Sequence, residues 1–184
     1  MKKKKQWIWT LLMVLYVGFI FNNSITPAIE SSRQSGRVLS MVLAMFRLAG
    51  LDSAIVTEHI IRKMAHFAEY FLMGVLLWNC LRSYMLTGKL WLVLQLWLIT
   101  VIPLTDETIQ LFSEGRAGMI GDVWLDVSGA ATGSLGMLGA WYLMKYIGKK
   151  KRRKAGNAAA LGPKRKKYGK GKADEQKYPD GASI

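Results

Sequence analysis

A single cysteine, Cys80, stands among 184 residues, so the chain can form no disulfide with itself, and cysteine pairing says nothing of its redox compartment. Neither a glycine-rich phosphate loop nor a G-x-S-x-G turn occurs, which leaves the ordinary soluble enzyme classes without a foothold. There is also no internal repeat, no dense metal-ligand spacing and nothing like a nucleic-acid recognition module. Acids are scarce, 12 against 26 Lys and Arg, and the imbalance sits at the two ends. Lys2, Lys3, Lys4 and Lys5 make the N-terminus +4, and thirteen bases against Asp174, Glu175 and Asp180 make the stretch from Lys149 onward +10. Everything between is formally neutral. Basic ends on a membrane protein are held on the cytoplasmic side and are drawn to anionic headgroups.

What the chain does have is long apolar blocks. Residues 6–23 form a first span, anchored by Trp7 and Trp9 behind the lysines. A signal peptide is the rival reading, but no small-residue cleavage site is evident, and a retained signal-anchor is favoured. In either case the following residues lie outside. Within residues 22–58, Val38, Met41, Val42, Met45, Phe46 and Ala49 recur at three- and four-residue spacing. That spacing predicts a helix with one apolar stripe, closed by Gly50 and lying on the outer interface or against the bundle. Residues 60–81 form a second span, the basic turn 82–89 an inner connection, and residues 90–105 a third span ending at Pro103. Residues 108–121 return outside, and residues 122–146 form a fourth span fixed by the basic run 149–154. The expected fold is an all-α membrane protein with four transmembrane helices plus an outer amphipathic helix. It occupies residues 1–147, with residues 148–184 a basic, disordered cytoplasmic tail and both termini cytoplasmic.

Nine polar groups sit where apolar helices should not carry them: Lys63, His66, Glu69, Asp106, Glu107, Gln110, Arg116, Asp122 and Asp126. Charge near bilayer depth is costly unless paired, hydrated or turned to a protein interior, so such residues are functional candidates. The topology above brings all three segments to the outer side. On a helix, Lys63, His66 and Tyr70 share a face, as do Arg62, His66 and Glu69. Asp106 and Gln110 share one if the helix continues past Pro103. Asp122 and Asp126 are four apart, and their stripe continues through Gly129, Gly133, Gly136 and Ala140, small residues that permit close helix contact. Arg116, on the preceding connection, suits a carboxylate or a ligand phosphate. A mutual ion-pair network is the bland reading, but five acids face only Lys63 and Arg116 as fixed cations, an excess that such a network should avoid.

The segments Arg62-Lys63-Met64-Ala65-His66-Phe67-Ala68-Glu69-Tyr70 and Asp106-Glu107-Thr108-Ile109-Gln110-Leu111-Phe112 resemble the signature of the VanZ-like membrane proteins. The likeness continues through Gly115-Arg116, Asp122-Val123-Trp124-Leu125-Asp126, Gly129 and Gly133. Phe21-Asn22-Asn23-Ser24 is similar to that family's polar exit from the first span. The resemblance covers about residues 8–147, and the Asp126 position departs from it, being often Asn in the family. It implies a multi-pass bacterial plasma-membrane protein of the class whose founding member is associated with resistance to the glycopeptide teicoplanin.

Two functions are therefore expected. The first is binding of a lipid-linked cell-wall intermediate or a lipophilic glycopeptide at the outer leaflet. Its ligand-binding residues would be Lys63, His66, Glu69, Tyr70, Asp106, Glu107, Gln110, Arg116, Asp122 and Asp126. The alternative is a membrane-embedded enzyme acting on a lipid-anchored envelope substrate, with His66, Glu69, Asp106 and Glu107 as catalytic candidates. Proton-coupled transport ranks below both, because four spans make a small monomer for alternating access. Membrane lipids are the expected partners and an oligomer is allowed. A carboxylate-histidine cluster of His66, Glu69, Asp106 or Asp122 could hold a metal, but no dense ligand motif supports one, so neither a metal nor a cofactor nor nucleic acid is expected, and His59 is placed outside the cluster.

Overall fold

The lysines at the start of the chain are followed by a long apolar run with no proline before Pro27, and they become the first turn of α1, Lys2–Ile25. A computed structural model describes residues 2–50, 52, 56–86 and 88–160, with side chains through residue 157. Four further helices follow: α2 Ala28–Leu48, α3 Glu58–Ser83, α4 Gly88–Gln110 and α5 Ile120–Ala160. No strand occurs among the described residues. The chain divides into two units, Met1–Leu143 and Met144–Ile184.

In the first unit much apolar surface faces outward while several polar groups are buried beside the apolar core. α1 buries Met13, Ile20 and Ser24 while Leu11, Val14, Leu15 and Phe19 stay exposed. α4 buries Gln95, Asp106, Glu107 and Gln110 while Leu92, Val93, Leu96 and Trp97 are exposed. Apolar surface outside and polar groups within is what lipid as solvent selects. Among the described residues three helices, α1, α3 and α4, are long and apolar enough to cross a membrane. The sequence reading expected four. α5 falls short by composition, because the Gly, Ala and Ser residues of its first half dilute the apolar content that leucines give the others.

α3 is the central post and carries the largest share of the core, including Tyr70, Met73, Leu77 and Trp78. α1 packs against α3 and α4, and α2 against α3. At one end of the bundle the Thr10 hydroxyl lies 2.7 Å from that of Tyr84, and Gln6 Nε2 donates to the Ser83 carbonyl at 3.2 Å. Trp78 meets Trp91 edge to face at 4.8 Å between centroids. The beginning of α1 thus lies beside the end of α3, and the end of α1 beside the beginning of α3. The other end of the bundle carries the polar groups.

α5 reaches α3 through glycine. A Cβ built on Gly129 would lie 2.6 Å from the Phe67 carbonyl oxygen, and those of Gly133 and Gly74 would overlap the carbonyls of Phe71 and Ala130. The Ser134 hydroxyl, 3.3 Å from the Gly74 carbonyl, also takes the Gln95 amide at 2.7 Å and so joins three helices. The expected small-residue stripe is shorter than the sequence suggested. Gly136 meets nothing within 4 Å and Ala140 is exposed. Two crossing helices touch backbone to backbone over only a turn or two; farther along, the gap is spanned by long side chains, with the Arg82 guanidinium 4.4 Å from the Trp141 ring centre.

Three boundaries differ from the sequence reading. α2 starts at Ala28, a full ten residues before the apolar stripe, with Pro27 supplying the fixed φ of −57° that launches it. Val42 and Phe46 of the stripe are partly covered, while Val38, Met41 and Met45 are exposed. α4 does not stop at Pro103 but runs through it to Gln110, which keeps Asp106, Glu107 and Gln110 on helix. In the second unit α5 continues to Ala160, through residues expected to begin a disordered tail, because Lys, Arg and Ala favour helix and no proline intervenes before Pro163. The remainder of that tail, residues 161–184, lies outside the described residues.

Candidate functional site

The last turn of α1 reaches the two helices beside it through short polar side chains. Ser24 donates its hydroxyl to Asp106 Oδ1, and Asn23 Nδ2 donates to Glu69 Oε1 at 3.0 Å. Tyr16, two turns earlier, donates to the Glu69 carbonyl at 3.0 Å. On α4 the Gln110 amide serves two carboxylates at once, 3.2 Å from Asp106 Oδ2 and 3.1 Å from Glu107 Oε1. Glu107 Oε2 in turn accepts the Met119 backbone N–H at 3.0 Å and ties down the connection before α5. That connection needs glycine twice. Gly115 sits at φ +71°, and a Cβ on Gly118 would lie 2.7 Å from the Glu107 carbonyl.

α3 faces α5 with Lys63, His66 and Tyr70. Lys63 Nζ lies 3.3 Å from Asp122 Oδ1, with both side chains about a third exposed. One turn deeper, His66 Nδ1 lies 3.8 Å from Asp126 Oδ1, beyond hydrogen-bond reach. Asp126 is wholly buried, and neither of its oxygens has a hydrogen-bond partner among the described residues. The Tyr70 hydroxyl is buried beside Asp106 without meeting hydrogen-bond geometry.

Two cavities open above these residues. The larger, about 470 Å³, is lined on one side by apolar Val38 and Val42 of α2 with Ile61 and Met64 of α3. Its other side is polar, with Asn23, Ser24, Arg62, His66, Glu69 and Arg116. The smaller, about 240 Å³, is lined by Lys63, Gln110, Met119 and Asp122 among others. Ser31, Arg62, His66 and Arg116 line both, so the two adjoin along that row. The larger volume falls within the usual range for small-molecule sites.

Both arginines carry spare donor capacity. Arg62 Nη2 is taken by Glu58 at 2.8 Å and Ser32 at 2.7 Å, which leaves its Nε without a partner. For Arg116, no carboxylate among the described residues lies within ion-pair distance. Burial pushes the Arg116 guanidinium below its ordinary pKa, and the like charge of Arg62 adds to that shift. Asp106, Glu107 and Glu69 oppose it.

The structure gathers all ten expected site residues at one end of the bundle and sorts them into two groups. Lys63, His66, Glu69, Gln110, Arg116 and Asp122 line the cavities, whereas Tyr70, Asp106, Glu107 and Asp126 lie beneath them and line neither. Asp106 and Glu107 spend hydrogen-bond capacity on Ser24, Gln110 and Met119, which argues against direct contact with a sugar or amide. Arg62, Ser24, Asn23 and Ser31 belong to the site but were not placed in it by sequence. Arg62 lies one helical turn before His66, and Asn22-Asn23-Ser24 breaks an apolar run where the helix reaches the site, so both signals were present. His59, placed outside the cluster, lines the smaller cavity.

The fold assembles a donor set that shares His66 and Asp106 with the metal set weighed from sequence but takes Asp126 in place of Glu69 or Asp122. One ligand atom each from His66, Asp106 and Asp126, on three different helices, lie within 4.8 Å of one another. The expectation of no metal rested on the lack of a compact motif, and this set is assembled only by the fold.

A family profile described as VanZ/LLP1 matches residues 8–144, a stretch that contains every residue of the site. No curated protein and no solved structure matches the chain.

Proposed function

The chain belongs to the VanZ/LLP1 family, and from that premise we propose that it binds the anionic head of a lipid-linked envelope intermediate, or a lipophilic glycopeptide, in the larger cavity. The observation that carries this reading is the composition of that cavity. Arg116 brings a guanidinium with no carboxylate within ion-pair distance among the described residues, and Arg62 lies beside it. Two guanidiniums present a fork of donors suited to phosphate or carboxylate. The apolar wall of Val38, Val42, Ile61 and Met64 suits the start of a lipid chain or a fatty acyl group. In this reading α5 is the fourth crossing, both termini are cytoplasmic and the site faces the outer leaflet of a bacterial plasma membrane. The cellular role is protection against teicoplanin-type antibiotics.

Thermal unfolding of the purified protein in detergent tests the reading, with teicoplanin and a polyprenyl diphosphate-linked sugar as the added compounds. A ligand that binds only the folded state raises its stability. The expected result is a rise with at least one of the two, absent from Arg116→Gln. A wild type that responds to neither compound sinks the reading. In cells, a glycopeptide-sensitive host is expected to gain teicoplanin protection from the wild type and not from His66→Ala at matched membrane levels.

One observation favours an enzyme as the second reading. His66 lines both cavities, with the buried Asp126 carboxylate 3.8 Å from its Nδ1, so an imidazole base open to the cavity has an acid close behind it. Arg116 would then stabilise a developing anion. Among the other catalytic candidates only Glu69 also lines a cavity. A changed lipid intermediate after incubation with purified protein, lost in His66→Ala, would establish it over simple binding.

A further inference from the structure

We propose that His66, Asp106 and Asp126 form a binding site for one divalent transition-metal ion, Zn²⁺ or Mn²⁺. Nothing in this inference requires that a lipid or a glycopeptide occupy the cavity above.

The distances favour a shared ion over a hydrogen bond. Two ligands each about 2.1 Å from one metal stand at most about 4.2 Å apart. The 3.8 Å between His66 Nδ1 and Asp126 Oδ1 fits within that limit and is too long for a direct hydrogen bond. The remaining separations, within 4.8 Å, would close by up to about 1.4 Å to reach the ~3.4 Å between tetrahedral ligands each about 2.1 Å from the metal. An independent observation points the same way. Asp126 is wholly buried with both oxygens unpartnered. A buried carboxylate in that state is neutralised either by a proton or by a positive occupant.

Charge and support agree with a dication. Two carboxylates and a neutral imidazole leave a divalent ion locally neutral, whereas Lys63 is already engaged with Asp122 and Arg116 lines the cavities above. Asp106 is held for the task. Ser24 grips one of its oxygens and Gln110 the other, and each oxygen keeps a second lone pair for a metal. The mixed nitrogen and oxygen donor set suits Zn²⁺ or Mn²⁺ better than Ca²⁺ or Mg²⁺, which prefer oxygen alone. Three protein ligands leave a coordination position open, and His66 lines both cavities, which gives that position a route to solvent.

The test strips the purified protein with EDTA, adds ZnCl₂ or MnCl₂ alone, removes the excess and reads bound metal by mass spectrometry alongside the melting temperature. The wild type is expected to retain about one ion per chain and to melt higher with it. Asp126→Asn and His66→Gln are expected to retain none and to show no shift. Asp126→Asn keeps the side-chain volume, and when stripped it is expected to melt above the stripped wild type, since the unpartnered charge is gone. His59→Ala, outside the trio, is expected to keep the ion; loss there, with retention in Asp126→Asn, would move the site and overturn the assignment. A stripped wild type that takes up neither ion and melts like Asp126→Asn holds a proton on Asp126, and the proposal fails.

Discussion

Gly133 of α5 crosses the carbonyl of Phe71 so closely that no β-carbon fits between them. Gly74 stands in the same relation to the carbonyl of Ala130, so the two helices approach through a glycine on each. In lipid, where leucine gains nothing by leaving a hydrocarbon solvent, such close contact is a main source of helix association. Gly133→Ala is therefore expected to destabilise the bundle by about 1–3 kcal/mol, the usual cost of overpacking. Gly136→Ala, one turn on and facing open space, is expected to be neutral or to gain up to about 1 kcal/mol from helix propensity. Unfolding in detergent compares the two, and equal effects would mean that the close approach does not hold the helices together.

An exposed ion pair and a buried hydrogen bond to a carboxylate should behave differently at the site. Lys63 and Asp122 have side chains 40% and 30% exposed, so their pair is worth about 0.2–1 kcal/mol and is weakened by salt. Asp106 is buried and depends on its donors. Ser24→Ala removes one of them and is expected to cost about 1–3 kcal/mol, with little salt dependence. Lys63→Met and Ser24→Ala, each unfolded at low and high salt, check the contrast.

These particulars show what the sequence could and could not convey. The runs that became α1, α3 and α4 were legible because lipid as solvent demands long apolar stretches, and the polar residues within them stood out by their cost. The role of Gly133 was legible as a small residue on a stripe, but where the stripe stops depends on how the helices cross. His66, Asp106 and Asp126 come from positions far apart in the chain, and no local spacing could group them. Ser24 was visible as a polar exit from the first helix, yet its partner Asp106 lies 82 residues away. The extension of α4 past Pro103 was open from sequence, because a proline at a helix end and one inside a supported helix look alike.

Glu107 has a structural task that can be read by protease. Its Oε2 accepts the Met119 N–H and so fixes the connection that carries Arg116. Glu107→Ala removes that anchor and is expected to expose the bond after Arg116, so that limited trypsin cuts there faster than in the wild type. Glu107→Gln keeps a carbonyl acceptor at the same reach and is expected to stay close to wild type. Equal cutting of all three would show that the turn at Gly115 and the hydrogen bond from Ala28 N–H to the Glu114 carbonyl hold the connection without Glu107.

Arg116 is expected to trade stability for binding. Its burial and the charge of Arg62 both disfavour the guanidinium ion, and Asp106, Glu107 and Glu69 only partly offset them, so its pKa is held below the ordinary value. A group whose charged form is disfavoured in the folded state detracts from stability at every pH where it stays charged. Removing the charge should therefore relieve the fold. Arg116→Gln without ligand is expected to melt no lower than wild type, while the rise in melting temperature with the anionic ligand disappears. Arg116→Lys keeps the charge but not the planar fork, so it is expected to recover only part of that rise. If Arg116→Gln instead melts well below wild type with no ligand present, the guanidinium serves as a clamp between the connection and the helices around it. The cavity would then have lost its principal anion-binding group.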